Sequence, residues 1–301
     1  MSSKTKRLFL LLSSCLLSSR AFAAACCGGG FAAPALIVGD DRAQVSMSYS
    51  YSRILTDVDT NSVWRNRETL ESSETYKLEA AHILSDQWQA GISAPAVRRA
   101  RAGESSFGLG DVAATLGYEY LPDWDYNPWR PKGLGFLQLT APTGRAAEEA
   151  DTTYQLDSRG RGFWAVGLGT ILTKIIGKWD ALATFDIHRS FAKHFSNSQF
   201  NGTLKPGYGG NLGFGGGYNL AKFRFGGGLT WTYEDPIEST GSVNSRGSPQ
   251  RYATANLSAS YLLPQEWSTT LTYSDQTLFG NPANTSLGRG VLLFVQKRWL
   301  R

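Results

Sequence analysis

Asp186, His188 and Ser190 stand two apart in the chain and supply the residue types of an acid–base–nucleophile triad. Side chains two apart on an extended strand project side by side from one face. That spacing does not bring a base onto a nucleophile. His82 and His194 have no carboxylate or nucleophile motif near them, and neither Gly-x-Ser-x-Gly nor His-Glu-x-x-His occurs. The expectation is a protein that is not an enzyme. Cys26 and Cys27 are the other reactive pair. Three readings stay open for them: neighbouring thiols without catalytic use, a lipid anchor on Cys26, or a metal site. Ala23-Ala24-Ala25 lacks the leucine usual before a lipidated cysteine, and no histidine stands at ligand spacing. No cofactor or metal is expected.

The elements that would position these groups are strands. From Tyr208 to Tyr218 the even positions are mostly bulky (Tyr208, Leu212, Phe214, Tyr218) and the odd ones small or polar. After Asn219-Leu220-Ala221-Lys222 the pattern resumes with Phe223, Phe225, Leu229, Trp231 and Tyr233 against Arg224, Gly226, Gly228, Thr230 and Thr232. This is a hairpin with one apolar, aromatic-ended face. Arms of about 11 residues are long enough to cross a bilayer core when tilted. Twelve such segments are predicted, at 43–54, 75–84, 88–98, 109–121, 133–142, 160–173, 178–191, 204–218, 223–234, 251–262, 267–276 and 287–300. Long polar connections alternate with short ones such as Ser85-Asp86-Gln87, and only Pro122 to Lys132 is oversized for its class. Trp88, Trp179, Phe223 and Trp267 open strands after short turns, and Tyr120, Tyr218 and Tyr261 close strands before them. These aromatics predict an interfacial girdle on one side. The expected fold is a single all-β, antiparallel transmembrane β-barrel of 12 strands over residues 43–301, with outer-membrane lipids around it. Its short turns and both termini are expected in the periplasm of a Gram-negative bacterium, and its longer loops outside.

The ends and the charge agree with an envelope address. Lys4, Lys6 and Arg7, the apolar run Leu8 to Leu17 and Ala21-Phe22-Ala23 read as a secretory signal peptide over residues 1–23. Residues 24–42 then form a short periplasmic or lumenal segment. The formal charge of +5 includes Lys4, Lys6, Arg7 and Arg20; without them 26 basic groups face 25 acidic ones. That balance gives no basic footprint for nucleic acid. Oligomeric state is not legible, because an apolar outer face looks the same against lipid or a second copy.

Two motifs resemble a known family. Phe107-Gly108-Leu109-Gly110-Asp111-Val112 and Leu137-Gln138-Leu139-Thr140-Ala141-Pro142-Thr143-Gly144 are similar to a strand start and a strand end of the outer-membrane proteins linked to meta-pathway phenol degradation. Those are distant relatives of the FadL-type hydrophobic-compound channels. The resemblance is firmest over residues 105–145. It implies uptake or efflux of small molecules, hydrophobic or aromatic ones among them. Ser286 to Leu293 also resembles the final strand that barrel-insertion machinery reads, although the chain ends Trp299-Leu300-Arg301. The expected function is a passive outer-membrane channel; the alternative is a structural or adhesive surface barrel with a filled lumen.

Lumen-lining candidates are Lys77, Glu79, Asp111, Glu119, Asp180, Asp186, His188 and Arg224, of mixed sign. A turn centred near residue 220 would set Gly215 opposite Gly226 and Gly213 opposite Gly228, a bare glycine wall. Either an inward aromatic or the segment Gly28 to Asp41 lies over it, or the wall widens an open passage. Symmetry about residue 127 places Asp111 opposite Thr143 at the rim and predicts an Asp111–Arg145 ion pair.

Overall fold

The computed structural model describes residues 34–124, 127–196, 201–241 and 244–301. The predicted signal peptide, Cys26 and Cys27 lie outside the described residues. The strands are β1 (Asp41–Val58), β2 (Trp64–Ile83), β3 (Trp88–Arg101), β4 (Glu104–Leu109), β5 (Val112–Leu121), β6 (Lys132–Ala141), β7 (Ala165–Ile176), β8 (Trp179–Ser190), β9 (Lys193–Ser196), β10 (Asn201–Lys205), β11 (Tyr208–Leu220), β12 (Phe223–Glu234), β13 (Glu238–Gly241), β14 (Ser245–Arg246), β15 (Gln250–Leu262), β16 (Trp267–Asp275) and β17 (Thr285–Leu300). β1 pairs with both β2 and β17, so the sheet closes on itself, antiparallel throughout. Twelve strands make the ring, in the order β1, β2, β3, β5, β6, β7, β8, β11, β12, β15, β16 and β17, with β4 riding on the far half of β3. Closure leaves no edge to be satisfied by lipid.

The two faces invert the usual arrangement of a water-soluble protein. Leu168 and Leu257 are 60% and 68% exposed on the outside, whereas Ser260, Ser268 and Thr272 are at most 2% exposed within. An outer surface of that kind requires an apolar medium. At the short-turn end, Trp88 packs on Tyr118 (ring centroids 4.8 Å apart), Trp179 on Tyr218 (4.7 Å) and Phe223 on Tyr261 (4.8 Å). The first residue of β1 and the last of β17 lie there, Asp41 opposite Leu300.

Four features differ from the sequence expectation. The predicted loop 55–74 is mostly strand, since β1 and β2 run on to Val58 and Trp64. Beyond the apolar band both faces meet polar surroundings, so a strand there shows no hydrophobic alternation. The predicted strand 109–121 is broken at Gly110–Asp111 into β4 and β5. The predicted loops 192–203 and 235–250 instead contribute a second, four-stranded sheet in the order β14-β13-β10-β9. Finally, the turn after β11 contains only Ala221 and Lys222, with Ala221 at φ +48°. The tighter turn moves the glycine register by two residues: Gly215 faces Gly228, Gly217 faces Gly226, and Gly213 faces Thr230.

Candidate functional site

The lumen is narrowed at the short-turn end by the segment preceding β1. Leu36 and Ile37 are buried, Leu36 in a cluster with the inward side chains Leu134, Phe136 and Ile171. The segment is also held through its backbone. The buried Gln89 side chain accepts from the Ile37 N–H (2.6 Å) and donates to the Ile37 carbonyl (2.9 Å), as a neighbouring strand would. Gln44 donates to the Leu36 carbonyl at 2.9 Å. Gly91 is required beneath it, since a Cβ there would overlap the Ala35 carbonyl oxygen. A Cβ on Gly117 would come within 2.7 Å of Leu36.

Several lumen candidates meet opposite charges, within one strand or across strands. Lys77 meets Glu79 at 2.8 Å, and Glu119 meets Lys132 at 3.4 Å, which also reaches Asp40 at 3.5 Å. Asp180 takes a two-pronged contact from Arg224 (2.8 and 2.6 Å) and a third bond from Asn219 (2.8 Å). Arg224 lies along the glycine wall: a Cβ on Gly217 or Gly226 would stand 2.6–2.7 Å from its guanidinium. The group over these two glycines is therefore an arginine, not an aromatic, and the N-terminal segment lies over Gly91 and Gly117 instead. Further along, Asp186 accepts from Asn211 (3.1 Å), which accepts from Thr232 (2.7 Å).

The long-loop end is spanned by residues 142–164. Arg99 of β3 donates to the carbonyls of Gln155 (3.1 Å) and Ser158 (3.0 Å). Arg161 donates two bonds to Glu234 of β12 (2.9 and 2.6 Å). β3 and β12 occupy the third and ninth places of the twelve-place ring, so one loop is tied to opposite walls. Phe163 of this loop packs edge-on against Phe195 of β9, with ring centroids 5.9 Å apart. His188 Nε2 faces Glu234 and Arg161 at 3.2 Å each, and its Nδ1 is 3.7 Å from Asp186. This is a charge network; Ser190 is not among the groups bonded to the ring.

The expected Asp111–Arg145 ion pair is corrected. Arg145 is drawn to Asp157 (2.5 Å) and Asp151 (3.0 Å) within its own loop. Asp111 caps backbone instead, accepting from the N–H groups of Gly144 (3.0 Å) and Arg161 (2.7 Å). The strand break at Gly110 turns its carboxylate toward those amides, where two fixed donors replace one long side chain. Burial opposes the charge of Asp157, but the Thr152 hydroxyl, the backbone N–H of Asp151 and the Arg145 guanidinium outweigh it and hold the carboxyl well below the usual range. A carboxyl lowered on folding stabilises fully above its ordinary value of 3.8 and loses that contribution as pH falls further. Protection of the amides across 143–161, taken relative to the intrinsic exchange rate at each pH, is thus expected to stay flat from neutral pH to about 4 and to fall below it. Asp157→Asn is expected to expose the same amides at neutral pH.

Between the two constrictions lies a cavity of about 200 Å³. Pro34, Phe136 and Ile171 line one side, and Asp186, Asn211, Thr230, Thr232 and Tyr252 another. The interior is thus amphipathic. In three dimensions the chain is similar to the COG4313 outer membrane channel from Pseudomonas putida F1, with a TM-score of 0.72 at 16% identity, covering 88% of this chain and 97% of that one. The fold is that of an outer-membrane β-barrel. KdgM porin (9% identity, TM-score 0.43, 84% of this chain and 98% of that) and the TodX monoaromatic hydrocarbon channel deltaS2 mutant (9%, 0.40, 85% and 88%) are more distant. No family model and no curated protein matches the sequence.

Several residues that shape this barrel's interior escaped sequence reasoning. Gln89 and Leu36 fill it, Arg161 and Glu234 brace it, and Glu71 is buried between Arg67 (2.8 Å) and Arg99 (2.5 Å). A glutamine at an inward position two residues before Gly91 was the one local signal for a seated peptide segment. Arg161 falls in the predicted strand 160–173, but β7 begins only at Ala165, so Arg161 sits in a loop where strand alternation assigns no direction.

Proposed function

We propose that the chain is a passive outer-membrane channel for small molecules, and that hydrophobic or aromatic cargo leaves it sideways through the wall beside β4. The carrying observation is the broken strand. Among the described residues, β4 pairs only with β3, while β5 pairs with β3 and β6. The free edge of β4 is closed by loop contacts rather than by a strand. Arg159 donates to Ser106 (2.8 Å) and lies over Gly108, and the Thr143 hydroxyl bridges the Gly110 carbonyl (2.7 Å) and the Val112 N–H (3.0 Å). The break falls within the apolar band. Leu109 stands in a row with Ala96, Tyr76, Tyr49 and Leu293, below Arg53. A few side-chain bonds open at far lower cost than a β-ladder. The axial path is narrowed at both ends, which favours a side exit for cargo that partitions into lipid. The resemblance to the phenol-pathway family supports the same cargo class.

A cleavable cross-linker between Ser106→Cys and Arg159→Cys, in a Cys26→Ser/Cys27→Ser chain, tests the exit. Toluene uptake by cells is expected to fall on cross-linking and return on cleavage, with ion conductance of the purified barrel unchanged. Uptake indifferent to the cross-link would remove the side exit and leave only axial passage.

A further inference from the structure

The outer face of the barrel carries arginines just beyond its apolar band at the long-loop end. Arg53 follows Tyr51 on β1, Arg189 follows Ile187 on β8, and Arg251 stands opposite Tyr233 on β15, all three exposed. None has a carboxylate within ion-pair distance among the described residues. Their near contacts are tyrosines. Arg53 donates to Tyr51 Oη at 2.7 Å, and Arg189 donates to Tyr208 Oη at 3.2 Å with its guanidinium 5.1 Å from that ring. Moreover, Arg53 lies directly opposite Arg289 across the β1–β17 ladder. Like charges in that relation repel unless an anion joins them, and only Arg289 has one, Asp275 at 2.8 Å.

Below Arg189 and Arg251 the same face holds an apolar groove of about 570 Å³. Phe185, Leu212, Trp231 and Tyr233 line it, and Gly210 forms part of its floor. Three strand spacings separate Arg189 from Arg251, about 14 Å at ~4.8 Å each. Apolar groove below and two guanidinium forks above match an amphiphile with acyl chains and separated phosphates.

We infer that this face binds the phosphorylated glycolipid of the outer leaflet, the lipid A part of lipopolysaccharide. Its acyl chains lie in the groove, and its two phosphates meet Arg189 and Arg251. Guanidinium pairs with phosphate through two parallel hydrogen bonds, a geometry that lysine lacks. The short-turn end offers a different chemistry: Trp267 and Trp299 with Lys297 between them, 5.8 and 5.9 Å from the two rings. The inference rests on the long-loop end facing outward.

Native mass spectrometry of the full mature barrel, with hexa-acylated lipid A as the probe, tests the site. Wild type is expected to retain lipid A, and Arg189→Gln/Arg251→Gln to bind it about tenfold or more weakly, the equivalent of one charge-assisted hydrogen bond. Heat-modifiable migration verifies that the variant is folded. Phosphate-free lipid A is expected to bind wild type as weakly as the variant binds the intact lipid. Equal binding by wild type and variant overturns the site, and so does equal binding of phosphatidylglycerol. Ser245→Cys, labelled on intact cells with an impermeant maleimide, tests the orientation separately. Label is expected; its absence would overturn the orientation while leaving the side exit to its own cross-link test.

Discussion

A mature chain that begins at Asp40 is expected to conduct in larger steps across a planar bilayer than the chain that retains residues 34–39. Leu36 and Ile37 contribute about 1.5–3 kcal/mol each by burial, and the two Gln89 bonds about 1 kcal/mol each. Ordering six residues of backbone opposes these gains, so the closed position is favoured by a modest margin that single substitutions can overturn. Gln89→Leu keeps the volume but removes both backbone bonds. It is expected to raise the time spent open about tenfold for each 1.4 kcal/mol lost. Gly91→Val acts more strongly, because its side chain would occupy the place of the Ala35 carbonyl. Single-channel recording separates the cases: deletion changes step size, Gln89→Leu changes open time. Identical records from all three would mean that the segment does not limit passage and that the loop 142–164 does.

Asp180→Ala is expected to be the most destabilising single change in the barrel wall. Asp180 and Arg224 have side-chain exposures of 2% and 10% and meet at 2.6 Å. Removing one partner of such a pair typically costs about 3–5 kcal/mol, since the remaining charge stays in a poorly solvated place. Arg224 has little room to withdraw, because it lies against Gly217 and Gly226. Asp180→Leu/Arg224→Met removes both charges and is expected to recover most of the loss. Urea titration of the barrel in detergent, followed by heat-modifiable migration, would read both. A single variant as stable as wild type would show that water enters this part of the lumen freely.

The strand alternation that revealed the barrel is a record of what each side chain touches. Positions such as Leu168 and Leu257 meet an apolar medium and their neighbours do not, so the pattern is written locally and survives without knowledge of register. That is why 12 strands, their antiparallel order and the aromatic girdle of Trp88, Trp179 and Phe223 were legible. The same reasoning fails where both faces meet polar surroundings. The upper parts of β1 and β2 and the sheet of β9, β10, β13 and β14 show no alternation. Asp111 and Arg145 were drawn together by nearness along a hairpin, but each found a closer partner once Gly110 broke the strand.

From the sequence alone came the closed antiparallel barrel, the short-turn and long-loop ends, and a lumen of mixed charge, because hydrophobic period and turn chemistry are properties of neighbouring residues. What occupies that lumen was decided only by the tertiary structure. Leu36 lies over Gly117, Arg224 along Gly217 and Gly226, and Arg161 on Glu234, in pairs from 2 to 81 residues apart in the chain. Contacts across an enclosed space depend on which strands face each other and in what register, and a two-residue difference in one turn was enough to move the glycine wall.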